Sequence, residues 1–418
     1  MGARSGNNYL STLKKHGAEV WFEGVRVPNV TAHEVLGSRA RSIASLYDLQ
    51  MEKPEAMTFR TSDGGRAGMS FIQAHIADAV RKRGRMLKIW ADYSCGTMMD
   101  SPATANIALA AMSAASAFFA ENDPRHGQNI ENYYREACNR DWCTSIALEG
   151  IEGPSPPLRV REQARDGLVV EGQSGTGSLG PICEELLVLP VNKGRRDASA
   201  PCFPSAFAVP SSAKGLKFIA QRPSSRLAEP ACVVVFENVL VPWSRVFLHE
   251  DTARADVLLP VTGTDIQLYH QDAVRTLANA EFMVGLAALI NEGTATTSEA
   301  TAAALAEMIA VAQKMQADIR RAEGKAAGNQ WRILAPAPGA FERCAAQAAR
   351  VQSQLVEIVR LANPSSATSI SSADAGANLE IALELARSAA ASPPDASRHD
   401  ASVQSIVERA REFIARLG

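Results

Sequence analysis

Aromatic residues make up only 6% of this 418-residue chain, and neither sign of charge dominates. Lys and Arg number 43 against 45 Asp and Glu, a formal net charge of −2. Without a basic excess or a basic block, the chain has no electrostatic footprint for nucleic acid or an acidic membrane. Cysteines are few: Cys95, Cys138, Cys143, Cys183, Cys202, Cys232 and Cys344 are scattered and odd in number. That usage suits reduced thiols rather than a disulfide framework. Long hydrophobic runs are lacking too. The longest, Ala105 to Ala120, is shorter than a membrane span and is broken by Asn106, Ser113 and Ser116, so it predicts a buried helix. The opening MGARSGNNYL is polar, without the apolar core of a signal peptide, and Gly6 stands where myristoylation needs Ser or Thr. A soluble, cytoplasmic protein is expected; collagen-like, disordered, small secreted and DNA-coating classes are excluded.

What is present is an ordinary globular mix, 46% hydrophobic and 21% charged. The pattern falls into three zones. In residues 1–150, AEVWFEG and VRVPNV predict a short strand pair turning at Gly24. Thr31 and Glu34 are spaced as a capping box heading a helix through Tyr47. Helices are expected over Met69 to Asp92, Pro102 to Ala120 and Asn129 to Cys138. Residues 151–260 lose the helical period and show β-rich runs (GLVVEG, ELLVLPV, GLKFIAQR, ACVVVFENVLVP, RVFLHE) between Gly, Pro and Ser clusters. An antiparallel barrel or sandwich follows from that spacing. Residues 261–418 return to helix, at Gln267 to Asn291, Ser298 to Gly324, Gly339 to Ala362 and from Ser402 onward. In the last of these Val403, Ile406, Val407, Ala410, Phe413, Ile414 and Leu417 recur every three or four residues. The layout is α+β.

Local motifs carry little chemistry by themselves. Gly175-Thr176-Gly177-Ser178-Leu179-Gly180 matches the dinucleotide fingerprint, but Pro181 and a short apolar run follow it, leaving no room for a crossover helix. A glycine-rich β-loop, touching a ligand, is the better reading. Cys138 and Cys143 lack a matching pair at zinc spacing, and no metal is expected. Glu184 and Glu185 adjoin on a strand and so point to opposite faces, which suggests a solvated edge.

Longer segments say more. AEVWFEGVRVPNVTAHEVLGSRARSIASLYD, LKIWADYSCGTMMDSPA, ACVVVFENVLVPWSRVFLHED and WRILAP, in this order and spacing from about Tyr9 to Ser366, resemble the oxygenase components of the 4-hydroxyphenylacetate 3-monooxygenase family. The resemblance implies an acyl-CoA-dehydrogenase-like fold, with an N-terminal helical domain, a central antiparallel β domain and a C-terminal four-helix bundle, assembled as a homo-tetramer or homo-dimer. It also implies an enzyme that takes reduced FAD from a separate flavin reductase and uses oxygen to hydroxylate a phenol. In such enzymes the cofactor carries the difficult chemistry, while the protein orients substrate and excludes water.

The departures from the family pattern concern the substrate. A family Arg and Tyr beside the substrate are matched by Asp100 and Thr104, and a family Asn-His pair by Thr144-Ser145. Replacing Arg by Asp inverts the local charge, which repels a phenolate or carboxylate and instead suits an amine or a base. Candidate catalytic residues are therefore Asp100, Thr104 and Ser145. Flavin contacts carry over at Thr176, Gly177 and Ser178. Arg275 could meet a pyrophosphate or simply make a helix salt bridge, and Ser365 and Ser366 resemble a turn lying over the flavin. The chain also ends without the family's further C-terminal extension. The resemblance thus implies an FADH2-dependent two-component monooxygenase acting on a small-molecule or carrier-bound biosynthetic substrate rather than 4-hydroxyphenylacetate. The rival readings are a flavin desaturase or dehydrogenase with Asp100 as base, and a non-catalytic relative. A related branch of the fold holds an iron–sulfur cluster on cysteines at defined places, and the resemblance implies none here: Cys95 has Met99 four residues on, and no cysteine follows His270 until Cys344.

Overall fold

The computed structural model describes residues 2–61, 64–148, 156–190, 203–294, 298–362, 375–390 and 400–417. Its centre is a ten-stranded sheet. The strands run in the order Val246–Leu248, Ala206–Pro210, Glu185–Leu189, Thr144–Leu148, Gly167–Thr176, Cys232–Pro242, Leu216–Ala220, Glu19–Phe22 and Val25–Val27, with Arg159–Ala164 paired to Gly167–Thr176. The expected hairpin near the N-terminus forms, with Val20 opposite Val27. Glu23 and Gly24 both take positive φ (51° and 79°), as a two-residue hairpin turn requires.

That hairpin does not stand apart. Glu19–Phe22 pairs with Leu216–Ala220 and extends the central sheet. This pairing is parallel, as is Thr144–Leu148 with Glu185–Leu189, so the expected antiparallel β domain is in fact mixed. Parallel neighbours need long connections, and both pairs are reached only after other strands have been laid down between them.

Several helix boundaries differ from the sequence reading. The helix Glu34–Glu52 is capped by His33, whose Nδ1 accepts from Leu36 N at 3.3 Å. Thr31 lies too early to serve: turns closed by Ala32 N to Asn29 O (3.2 Å) and His33 N to Val30 O (3.3 Å) place the cap two residues later. The stretch Met69 to Asp92 contains a single 3-10 turn, Met69–Phe71, then extended residues, and only then the helix Ala77–Tyr93. The Pro102 helix ends at Ala114 and restarts as Ser116–Ala120.

In the C-terminal zone Thr264–Gly293 is the central helix and packs against Glu299–Gly324, Ala340–Ala362, Ala375–Ala390 and Ala401–Leu417. By length and composition it could cross a membrane, yet 83% of its most apolar window is buried inside the protein. Close packing explains its glycines: a Cβ on Gly285 would lie 2.7 Å from Ala410 Cβ. The last helix buries Val403, Val407, Ala410, Phe413 and Ile414, the stripe its periodicity predicts.

The strand begins only at Glu185, with Glu184 in the bend before it, and neither residue is solvated. Glu184 is 2% exposed and pairs with Arg4; Glu185 is 3% exposed and accepts from Arg245 at 2.6 Å. Two cations reaching in from distant parts of the chain make that burial tolerable, since an unpaired buried carboxylate would not be.

Candidate functional site

Two short segments carry most of the sequence-predicted residues, and the fold brings them together. The first runs from Met99 to Thr104, into the start of the Pro102 helix. It is set against the central helix by Gly96 (φ 65°), where a Cβ would lie 2.4 Å from both Arg275 O and Asn279 N. The second is the glycine-rich loop. Gly175 and Thr176 end a strand, and after Gly177 to Leu179 the chain makes one 3-10 turn, Gly180–Ile182, before the next strand. No crossover helix follows, so the fingerprint match has no dinucleotide-binding context.

Asp100 joins the two segments. Its Oδ2 accepts from Leu179 N at 3.3 Å, and it occupies the space that a Cβ on Gly177 would fill, at 2.1 Å. Two residues that sequence reasoning missed complete the contact. Arg39, from the helix Glu34–Glu52, donates to Asp100 O at 2.8 Å and to Ser178 Oγ at 3.0 Å. Glu229 forms an ion pair with Arg39 and accepts from Met99 N (3.0 Å), Asp100 N (3.3 Å) and Ser178 Oγ (2.8 Å). Arg39 lies in the first resembling segment and Glu229 in none, and no local pattern marks either as part of the site.

The electrostatics follow from these neighbours. Burial pushes the Asp100 carboxyl up to about 7, with the Glu229 charge adding to the rise and Arg39 and the Leu179 N–H opposing it. An acid balanced near neutrality can take or give a proton without a large penalty in either direction. Two carboxylates against one guanidinium also leave the site short of positive charge.

The remaining predicted residues lie on either side. Ser145 is fully buried, and its Oγ is 2.8 Å from Thr176 Oγ1, which also donates to Ile146 O at 3.2 Å. Its neighbour Thr144 keeps a buried hydroxyl with no partner. Thr104 Oγ1 accepts from Gln271 Nε2 at 2.8 Å, while Gln271 Oε1 is buried and unpartnered. Arg275, one helical turn beyond Gln271, bonds to Asp272 and to Gly96 O (3.1 Å). A cavity of about 250 Å3 lies between Thr104, Gln271, Arg275, Met99, Leu268 and Tyr269. Ser365 and Ser366 fall outside the described residues.

These residues fit a flavin along the wall formed by Thr104, Gln271 and Arg275. Gln271 and the Arg275 guanidinium line the cavity there, Gln271 Oε1 is buried without a partner, and Asp265 and Asp272 share the lining, so an anionic chain would rest on Arg275. On the loop side the Thr176 and Ser178 hydroxyls already have protein partners and would exchange or share them. Among the described residues no three His, Cys, Asp or Glu side chains are arranged to hold a metal ion. His270 is fully buried, with Nε2 2.9 Å from Glu323.

Comparison with known proteins extends this geometry. The 4-hydroxyphenylacetate 3-hydroxylase N-terminal family matches residues 5–248 and the corresponding C-terminal family residues 255–397. The oxygenase component of 4-hydroxyphenylacetate 3-monooxygenase from a Geobacillus species is 30% identical over 386 residues, covering 86% of this chain and 78% of its own. The Thermus thermophilus counterpart is 32% identical, covering 81% and 74%. A more distant Streptomyces globisporus relative (26%; 68% and 58% covered) is named as a monooxygenase of an aminated, chlorinated hydroxyphenylpropanoyl group on a peptidyl-carrier protein. Among solved structures, that of an oxygenase component of 4-hydroxyphenylacetate 3-monooxygenase complexed with FAD superposes with a TM-score of 0.79 at 26% identity, covering 99% of this chain and 89% of the other. With both halves of the family matched in order and the fold shared throughout, the chain belongs to the 4-hydroxyphenylacetate 3-hydroxylase family.

Proposed function

We propose that this chain is the oxygenase component of a two-component monooxygenase, taking reduced FAD from a separate flavin reductase and oxygenating a substrate other than a simple phenol. The observation that carries the reading is Asp100: within a family-wide match, a carboxyl stands in the substrate segment, accepting from Leu179 N, raised by the nearby Glu229 charge and balanced near neutrality. Such a site suits an amine, an amino-acid derivative or a carrier-bound biosynthetic intermediate, and disfavours a second anion.

Bound against this wall, reduced FAD would supply the oxygen-activating chemistry. The chain's own residues do the rest. Arg275 would hold the cofactor's pyrophosphate, and Thr104 and Gln271 would offer hydrogen bonds beside it. Thr176, Gly177 and Ser178 would add contacts from the glycine-rich loop. Asp100 holds the substrate's basic group or takes its proton, Ser145 fixes Thr176, and the packed loop keeps water out. The working form is a homo-oligomer, tetramer or dimer.

Anaerobic equilibrium titration of the full chain with reduced and with oxidised FAD tests the reading. Saturable binding that prefers the reduced form is expected. Absence of affinity for either form overturns it.

A further inference from the structure

Arg39 and Glu229 come from places 190 positions apart in the chain, yet they converge on the same two residues. Each bonds to the Asp100 main chain, Arg39 at the carbonyl and Glu229 at the N–H, and each bonds to the Ser178 hydroxyl. Glu229 adds Met99 N. One ion pair therefore ties three separate pieces together: the helix Glu34–Glu52, the substrate segment and the glycine-rich loop. We propose that Arg39 and Glu229 are positioning residues that clamp the Asp100 carboxyl over the Gly177 turn and govern when it carries charge.

The clamp is well sheltered. The side chains of Arg39 and Glu229 are 12% and 13% exposed, so their fields at Asp100 are screened far less than those of a surface pair. Asp100 is faced from each packed element by a group of known sign. Glu229 disfavours its ionised form, Arg39 favours it, and so does the Leu179 N–H. Cys143, from the strand side, stays a neutral thiol, because burial pushes it well above its ordinary range. Removing one partner of the clamp should thus move Asp100 in one direction, and removing the other should move it the opposite way. A brace with a purely mechanical role has no such signature.

The pair also borders a groove of about 620 Å3 lined by Val35, Met98, Leu227 and Phe413, so a molecule entering there reaches the clamp directly. The inference rests on the proposed function only in giving Asp100 a part in the reaction. Its first test needs neither flavin nor substrate, so the two ideas fail separately.

The experiment is an NMR titration of isotope-labelled aspartate carboxyls in the full chain, with the Asp100 signal assigned by its loss in Asp100→Asn. Glu229→Gln should lower the Asp100 midpoint and Arg39→Gln should raise it, each by at least about tenfold in proton affinity. Arg39→Lys, which keeps the charge, should hold the midpoint near that of the wild type. With a reductase and reduced FAD supplied, the acidic limb of the pH–turnover profile should shift in the same opposed directions. Midpoints that do not move, or that move the same way in both variants, overturn the proposal. If Arg39→Gln does not fold, Glu229→Gln decides alone: a lowered midpoint supports the clamp and an unmoved one refutes it.

Discussion

Asp100 and Gly177 fill one space between them, which makes their coupling measurable. A methyl group at Gly177 would stand 2.1 Å from Asp100 Oδ2, 2.8 Å from its Cγ and 3.3 Å from its Cβ. Gly177→Ala must therefore push the carboxylate away and break its bond to Leu179 N. Overpacking of this kind costs about 1–3 kcal/mol and the lost hydrogen bond about 1 more, so the single change should destabilise by about 2–4 kcal/mol. In an Asp100→Ala background the two nearest atoms are gone and only the 3.3 Å contact to Cβ remains. The same glycine change should then cost under about 1 kcal/mol, giving a coupling of about 1–3 kcal/mol. Any gain from stiffening the unfolded chain enters both arms and cancels. Urea unfolding of the four proteins, followed by tryptophan fluorescence, supplies the cycle. Effects that add to within about 0.5 kcal/mol would refute the packing argument.

Three further outcomes are expected. Asp100 holds its proton up to about 7 in the folded chain, against an ordinary carboxyl value of 3.8, so it binds more proton in the folded state in between and its contribution to stability falls as pH rises from about 4 to 7. Asp100→Asn should remove that contribution, making stability less steep in pH than in the wild type; urea titrations at several pH values check it, and an unchanged slope would contradict the assignment. Arg275→Ala should weaken reduced-FAD binding by about tenfold or more while leaving stability within about 1 kcal/mol, because its pairing with Asp272 is partly solvated. Unchanged affinity in equilibrium titration would make Arg275 a helix salt bridge only. Arg4→Met leaves Glu184 buried without its cation and should cost about 3–5 kcal/mol in urea unfolding, whereas a cost below about 1 would mean that water replaces the arginine.

What the sequence reveals here follows the range of each physical signal. The hairpin over residues 19–27 and the last helix are legible, because alternation, a turn glycine and a three-to-four-residue stripe are local patterns. The break at Ala115 is not, since an alanine-rich run contains no stop residue. Neither is the cap at His33, because the turns over Asn29 to His33 that delay the helix start leave no residue pattern of their own. Glu184 and Glu185 read as strand neighbours, yet the strand begins only at Glu185. Their burial depends on Arg4, 180 positions away, and on Arg245, 60 away. The site divides in the same way. Asp100 lies in a segment that carries the family resemblance, Thr104 directly follows that segment, and Ser178 lies in the glycine-rich motif. Arg39 also lies in a resembling segment, but its part, like those of Glu229 and Gln271, shows only when the fold brings distant pieces into contact. The sheet's two parallel pairings are likewise a property of chain routing, to which β-rich runs are blind.

Product analysis under isotopically labelled oxygen, with the full chain, a flavin reductase and FAD, tests the central claim most directly. Substrates would be offered in parallel: 4-hydroxyphenylacetate, and aromatic compounds carrying an amine or an aminoacyl group. The account predicts label in the product of an amine-bearing substrate and little or none in that of 4-hydroxyphenylacetate. Efficient labelling of 4-hydroxyphenylacetate, or no label in any product although reduced FAD binds, would contradict it.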